Sequence, residues 1–200
     1  TGLKQENRLE ECEDVYQDTL RKFFGLMDRS VEELPWRDLM AVASLGEMLD
    51  AERCALLAQL IKEKADLHGL RGVDGSALYQ KALCLYLSAW QSDVSLHTEE
   101  HVARIAELEG LARGSRMPAD AWELLSGFYE QTGQYDRAED ALYEFLDVEG
   151  RSGDALERGR GFYLRLLGKK DEDLLKGWLP REEVEDGLRV MDAERCNPPK

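Results

Sequence analysis

The stretch AWELLSGFYEQTGQYDRAEDALYEF, residues 121–145, decides how this chain is read. Large apolar residues recur at three- and four-residue steps on either side of a short polar break. Trp122, Leu125 and Tyr129 precede it, and Tyr135, Ala138 and Leu142 follow. That period lays one apolar stripe on each of two helices. Gly133 supplies the tight turn between them. The hairpin extends over Ala119–Gly150, and the remainder reads as more units of this kind, less clearly written.

Two hundred residues are enough to bury a real core in one domain. A hydrophobic share of 43% with 34% charged residues excludes a disordered or membrane composition. The net charge of -15 repels phosphate backbones, so nucleic acid is not an expected partner, and basic surfaces are. Cys12, Cys54, Cys84 and Cys196 show no paired spacing, and Cys54 and Cys84 fall inside apolar helical patterns. Buried, reduced thiols in a cytoplasmic protein are the expectation. No apolar run reaches the length of a membrane span, and no signal peptide is visible. The chain begins at Thr1 rather than Met, as it would after removal of an N-terminal piece.

Taken in order, Leu3 to Met27 reads as a helix with an apolar stripe of Leu9, Cys12, Val15, Tyr16, Thr19, Leu20, Phe23 and Phe24. Glu6, Glu10, Glu11, Glu13 and Asp14 load its first half and Arg21 and Lys22 its end, which suits the helix dipole. Ser30 to Pro35 reads as a connector. Helices follow over Trp36–Leu49 (Leu39, Met40, Ala43 and Leu45 inward) and Ala51–Leu67. After a break at 69–75, Ser76 is the expected cap of a helix over Ala77–Trp90. Its apolar residues nearly encircle it, so it should be central. Thr98 caps the next helix, to Ala112. Beyond the opening hairpin come a helix over Asp154–Leu167, a short element at 171–175, and a last helix from Pro180 to about Met191. The expected organisation is a single helical domain, 1–200. It comprises an N-terminal helix and connector (1–35), hairpins (36–168), C-terminal capping helices (169–195) and a tail (196–200). Nothing alternates with period two, so the fold class is all-α, with short connections implying antiparallel neighbours.

Trp122, Leu125, Ser126, Tyr129, Gly133, Tyr135, Ala138 and Leu142 resemble the tetratricopeptide repeat, a helix hairpin of roughly 34 residues. The small Ser126 and Ala138 let the two helices approach. One repeat further on, Leu156 and Tyr163 take the Trp and Tyr positions. The pair 76–90 and 98–112 keeps Tyr86, and 36–67 is a divergent pair. The resemblance implies a short solenoid of stacked hairpins; a closed irregular bundle is the alternative. The ending FYLRLL (162–167) with LPREEVEDGL (179–188) also resembles the close of a small family of uncharacterised bacterial helical-repeat proteins, which implies no activity.

The sharpest enzymatic pattern is HTEEH (97–101), which matches the H-x-x-E-H arrangement of inverted zinc peptidases. A catalytic zinc needs both histidines on one helix face and a third ligand nearby. With Thr98 as cap, His97 falls outside the helix and points elsewhere. His68, beside Gly69, sits where a cationic ring suits a helix end. GRG (159–161) lacks the strand and the ending of a phosphate loop. Asp171, Glu172 and Asp173 read as a solvated face. No Cys/His zinc spacing and no di-iron pattern occurs, so no cofactor, metal or catalytic residue is assigned, and a metal-dependent hydrolase is a remote alternative.

The expected function is therefore a non-enzymatic protein- or peptide-binding scaffold. Stacked hairpins expose a concave face built from each first helix. On the best repeat that face carries Asp120, Glu123, Gly127, Glu130 and Gln131, which predicts a basic or apolar segment as partner. A structural protein that self-associates through residues 9–24 is the alternative.

Overall fold

The computed structural model describes the backbone of residues 2–46 and 48–196, and side chains from Leu9 onward apart from Leu45. Expectations for the side chains of Leu3, Glu6 and Leu45, and for the tail at 197–200, lie outside the described residues. The chain is all-α, and its contacts divide it into two compact units, Thr1–Met117 and Pro118–Lys200.

The first unit holds α1 (Gly2–Phe24), α2 (Asp28–Glu33), α3 (Trp36–Ala43), α4 (Ala51–Leu70), α5 (Ser76–Ser92) and α6 (Glu99–Ala112). As its encircling pattern predicts, α5 is central. It packs on α3, α4 and α6, and Leu78, Ala82–Leu87, Ala89 and Trp90 are all buried. The α4–α5 pair closes tightly because Gly75 has no side chain: a Cβ there would meet the Ala65 carbonyl at 2.9 Å. Cys54 and Cys84 are buried free thiols, and burial pushes the Cys54 thiol up to about 12.

Several boundaries differ from the sequence reading, each for a local reason. The helix expected over 36–49 stops at Ala43. Ser44 turns extended with its hydroxyl donating to the Met40 carbonyl, and Gly46, at φ +69°, reverses the chain. A two-residue antiparallel ladder results, β1 (Ser44–Leu45) with β2 (Met48–Leu49). The first helix ends at Phe24 rather than Met27, where Gly25 takes φ +66°. The expected connector contains α2, which buries Val31. Ser76 is not a cap but the first helical residue; Asp74 Oδ1 accepts from its backbone N–H and its hydroxyl. Thr98 does cap α6, accepting from the His101 N–H at 3.4 Å.

The second unit holds α7 (Ala119–Gln131), α8 (Tyr135–Glu149), α9 (Gly153–Leu167), α10 (Asp171–Lys176) and α11 (Arg181–Cys196). The expected hairpin is α7–α8, turned at Gly133 with φ +74°. The Ser126 hydroxyl donates to the Ala138 carbonyl at 2.8 Å, so the small pair brings the helices together as anticipated. A second hairpin pairs α9 with α11, with α10 between them in sequence. Its crossing runs through glycines. A Cβ on Gly187 would lie 2.2 Å from the Tyr163 ring, and one on Gly159 would lie 2.8 Å from Met191 Sδ. Gly159, in the GRG run, is thus a packing residue.

Gly187→Ala should therefore lower stability by about 2 kcal/mol in urea unfolding, because the buried Tyr163 ring cannot yield. Gly110→Ala, on the open face of α6 with nothing within 4 Å, should raise it by about 0.5–1 kcal/mol. Equal effects at the two sites would refute the close crossing.

Candidate functional site

The expected binding face lies on α7. Asp120, Glu123, Gly127 and Glu130 are half-buried, and Gln131 is exposed. Glu123 and Glu130 do not face solvent as free acids. Arg158 of α9 donates to Glu123. Arg165 of α9 donates twice to Glu130, at 2.8 Å and 2.8 Å. Each pair joins residues 35 apart in sequence. Both arginines follow the same order along α9 as their acids along α7, so the two helices run parallel, side by side. The acids drawn in the sequence reading as a partner's target are thus matched by arginines of the same unit. The Glu130 partnership also holds the Arg165 guanidinium above its ordinary value.

The HTEEH histidines are held apart. His97, outside α6 as expected, stacks on Trp90 with ring centroids 4.1 Å apart and donates to the Trp90 carbonyl at 2.9 Å. His101 Nδ1 shares a hydrogen bond with the Tyr86 hydroxyl. Among the described residues, no group of three or more His, Cys, Asp or Glu side chains is placed to hold a metal ion. No described helix is long and apolar enough to cross a membrane.

A different surface stands out in the first unit. A trough of about 600 Å³ runs between α1 and α4. One wall carries Leu9, Cys12, Val15, Tyr16 and Thr19, and the other Leu60, Leu67 and Leu70. Glu11, Glu63 and Asp66 also line it; Asp66 is paired with Lys62 at 2.9 Å and accepts from the Tyr79 hydroxyl at 2.7 Å. Of the expected α1 stripe, Tyr16, Leu20 and Phe24 are buried, while Val15 is 68% exposed. Leu70, in the last turn of α4, is 69% exposed. The sequence reading ended that helix at Leu67 and so did not carry this wall to Leu70. The signal was present: Leu60, Leu67 and Leu70 form a second apolar line beside the core line of Leu57, Ile61 and Ala65.

The same helix α4 carries a buried cation. Lys64 is almost fully enclosed and lies 2.6 Å from Asp28, 3.6 Å from Glu32 and 3.7 Å from Glu13. Arg71 donates to both oxygens of Glu13 and holds that carboxyl below the usual range. His68 Nε2 adds a contact to Glu32 at 3.2 Å. One lysine of α4 thereby ties α1 and α2 into place, and the burial of Tyr16 beside it pushes that phenol up.

The family model described as a family of unknown function (DUF6483) matches residues 40–195. The chain belongs to DUF6483. No curated protein and no solved structure matches it. The DUF6483 match takes in the α4 wall of the trough, the central α5, and both hairpins of the second unit; α1 precedes it.

Two outcomes follow. A double-mutant cycle on Glu130→Gln and Arg165→Gln, read by urea unfolding, should give a coupling of about 0.5–1 kcal/mol. Glu130 is mostly covered but Arg165 is 59% exposed, and solvent screens the pair. A coupling of zero would mean that the pair does not form. Lys64→Met should cost about 1–3 kcal/mol, because it leaves the partly covered Asp28 and Glu13 carboxylates without their cation, and adding Asp28→Asn should recover part of the loss.

Proposed function

We propose that this chain is a non-enzymatic scaffold that binds a protein or peptide, built from tetratricopeptide-like hairpins. The observation that carries the reading is the pair of acid–arginine bridges with a 35-residue step. A parallel pair of helices displaced by one repeat length is what stacking of such hairpins produces. Leu156 and Tyr163 support it. They are buried on α9 at the places that Trp122 and Tyr129 occupy on α7. The Ser126–Ala138 approach supports it too, since the repeat needs small residues there.

The chemistry points the same way. The histidines of HTEEH serve Trp90 and Tyr86, and the buried lysine serves three carboxylates. Both histidines of the sharpest enzymatic pattern thus have packing duties. Buried free thiols at Cys54 and Cys84 suit a reducing cytoplasm. A surface carrying -15 favours partners with basic surfaces.

The immobilised 200-residue chain, exposed to extract of its native cell and washed at moderate salt, should retain at least one protein in near-stoichiometric amount. The chain should bear no hydrolytic turnover that His97→Ala and His101→Ala abolish. Retention of nothing beyond the bare matrix, or a turnover lost in those variants, would overturn the scaffold reading.

A further inference from the structure

We infer that the α1–α4 trough is the scaffold's docking site for an amphipathic helix with basic flanks. The inference rests on the scaffold reading and names the site and the partner's chemistry. Three observations support it.

The first is shape. On α1 the lining residues Leu9, Cys12, Tyr16 and Thr19 follow three- and four-residue steps, and on α4 Leu60, Glu63, Leu67 and Leu70 do the same. Two helical lines about 15 Å long therefore flank one valley. A valley between two helices receives a third helix, whose own anchors at i, i+3 or i+4, and i+7 enter it. About three turns of partner helix fill that length.

The second is the unpaid apolar surface. Val15 and Leu70 stand at the open mouth, 68% and 69% exposed, on opposite walls. The walls themselves are held in place. Glu13 of α1 meets both Lys64 of α4 and Arg71 at the end of α4, and Lys64 also holds Asp28 of α2. The trough is thus a fixed feature and does not close by sliding the helices together.

The third is charge, and it selects the occupant. The lining carries the exposed acids Glu11 and Glu63 beside an Asp66 already paired with Lys62, and no lysine or arginine is among the described residues that line the trough. Another copy of this chain, docked face to face, would set these acids against themselves, in a molecule already at -15. A helix with Lys or Arg flanking an apolar stripe meets both the floor and the rim. Acids on a rim set approach rate and selectivity, while the apolar floor supplies the affinity.

The test uses the full chain and a synthetic peptide of roughly 18 residues, with Leu at helical spacing and Lys elsewhere. A second peptide has Glu in place of Lys. By fluorescence anisotropy the Lys peptide should bind at least tenfold more tightly than the Glu peptide. The doubly substituted chain Val15→Asp, Leu70→Asp separates the trough from general charge attraction. It is more acidic, so mere attraction tightens binding of the Lys peptide, whereas loss of the apolar mouth weakens it at least tenfold. Both positions are exposed, so the fold is spared, and circular dichroism checks this. Cys12 gives a readout in the unmodified chain. Its exposed thiol lies in the trough, and the exposed Cys196 serves as an internal reference. Bound Lys peptide should slow alkylation of Cys12 at least fivefold and leave Cys196 unchanged.

Equal or tighter binding by the aspartate variant, or unprotected Cys12 with peptide bound, would overturn the trough while leaving the scaffold reading to its own capture experiment. Self-association of the full chain in sedimentation, abolished by the aspartate pair, would assign the trough to a second copy and overturn the proposal as well.

Discussion

Helices in this protein meet where one of them has almost no side chain. Gly75 lies against Ala65 in the first unit. In the second, Ser126 lies against Ala138, Gly159 against Met191, Gly177 against Tyr135 and Gly187 against Tyr163. Each contact fixes how near two backbones come, and so fixes where the neighbouring large residues interlock. Tyr163 can be fully buried only because position 187 offers no Cβ. A packed interior tolerates little change of volume at such crossings. Ion pairs then act on an arrangement already set by packing, as Glu123–Arg158 and Glu130–Arg165 do between α7 and α9.

This division of labour explains how an acidic chain stays folded. Charge that would repel is consumed locally. Lys64 serves three carboxylates, and Arg71, Arg151, Arg158 and Arg165 each meet at least one acid. What is left over is not uniform. The α7 face is neutralised by its own neighbours, while the rim of the α1–α4 trough carries acids beside open apolar surface. At the trough, exposed acids and exposed apolar side chains stand side by side.

The sequence made the α7–α8 hairpin, the central α5 and the Thr98 cap legible because each depends on residues a turn or two apart. It was silent where the cause is distant. A lysine within a helical pattern reads as solvent-facing; the burial of Lys64 needs Glu13, Asp28 and Glu32 from two other helices. Glu123 and Glu130 read as a free acidic face, because the arginines that meet them lie 35 residues away. The stripe on α1 was visible, but not how much of it α4 would cover: Tyr16, Leu20 and Phe24 are buried and Val15 is left out. Ser44 and Gly46 ended α3 early, a choice of backbone that the apolar period of 36–49 did not betray.

Hydrogen exchange of the full chain, free and in complex with the cellular protein it retains, tests the account most directly. Added protection should fall on α1 and α4, across residues 9–19 and 60–70, with α7 and the 97–101 segment unchanged. Protection centred on 97–101, or spread over 120–131 with α1 and α4 unaffected, would contradict it.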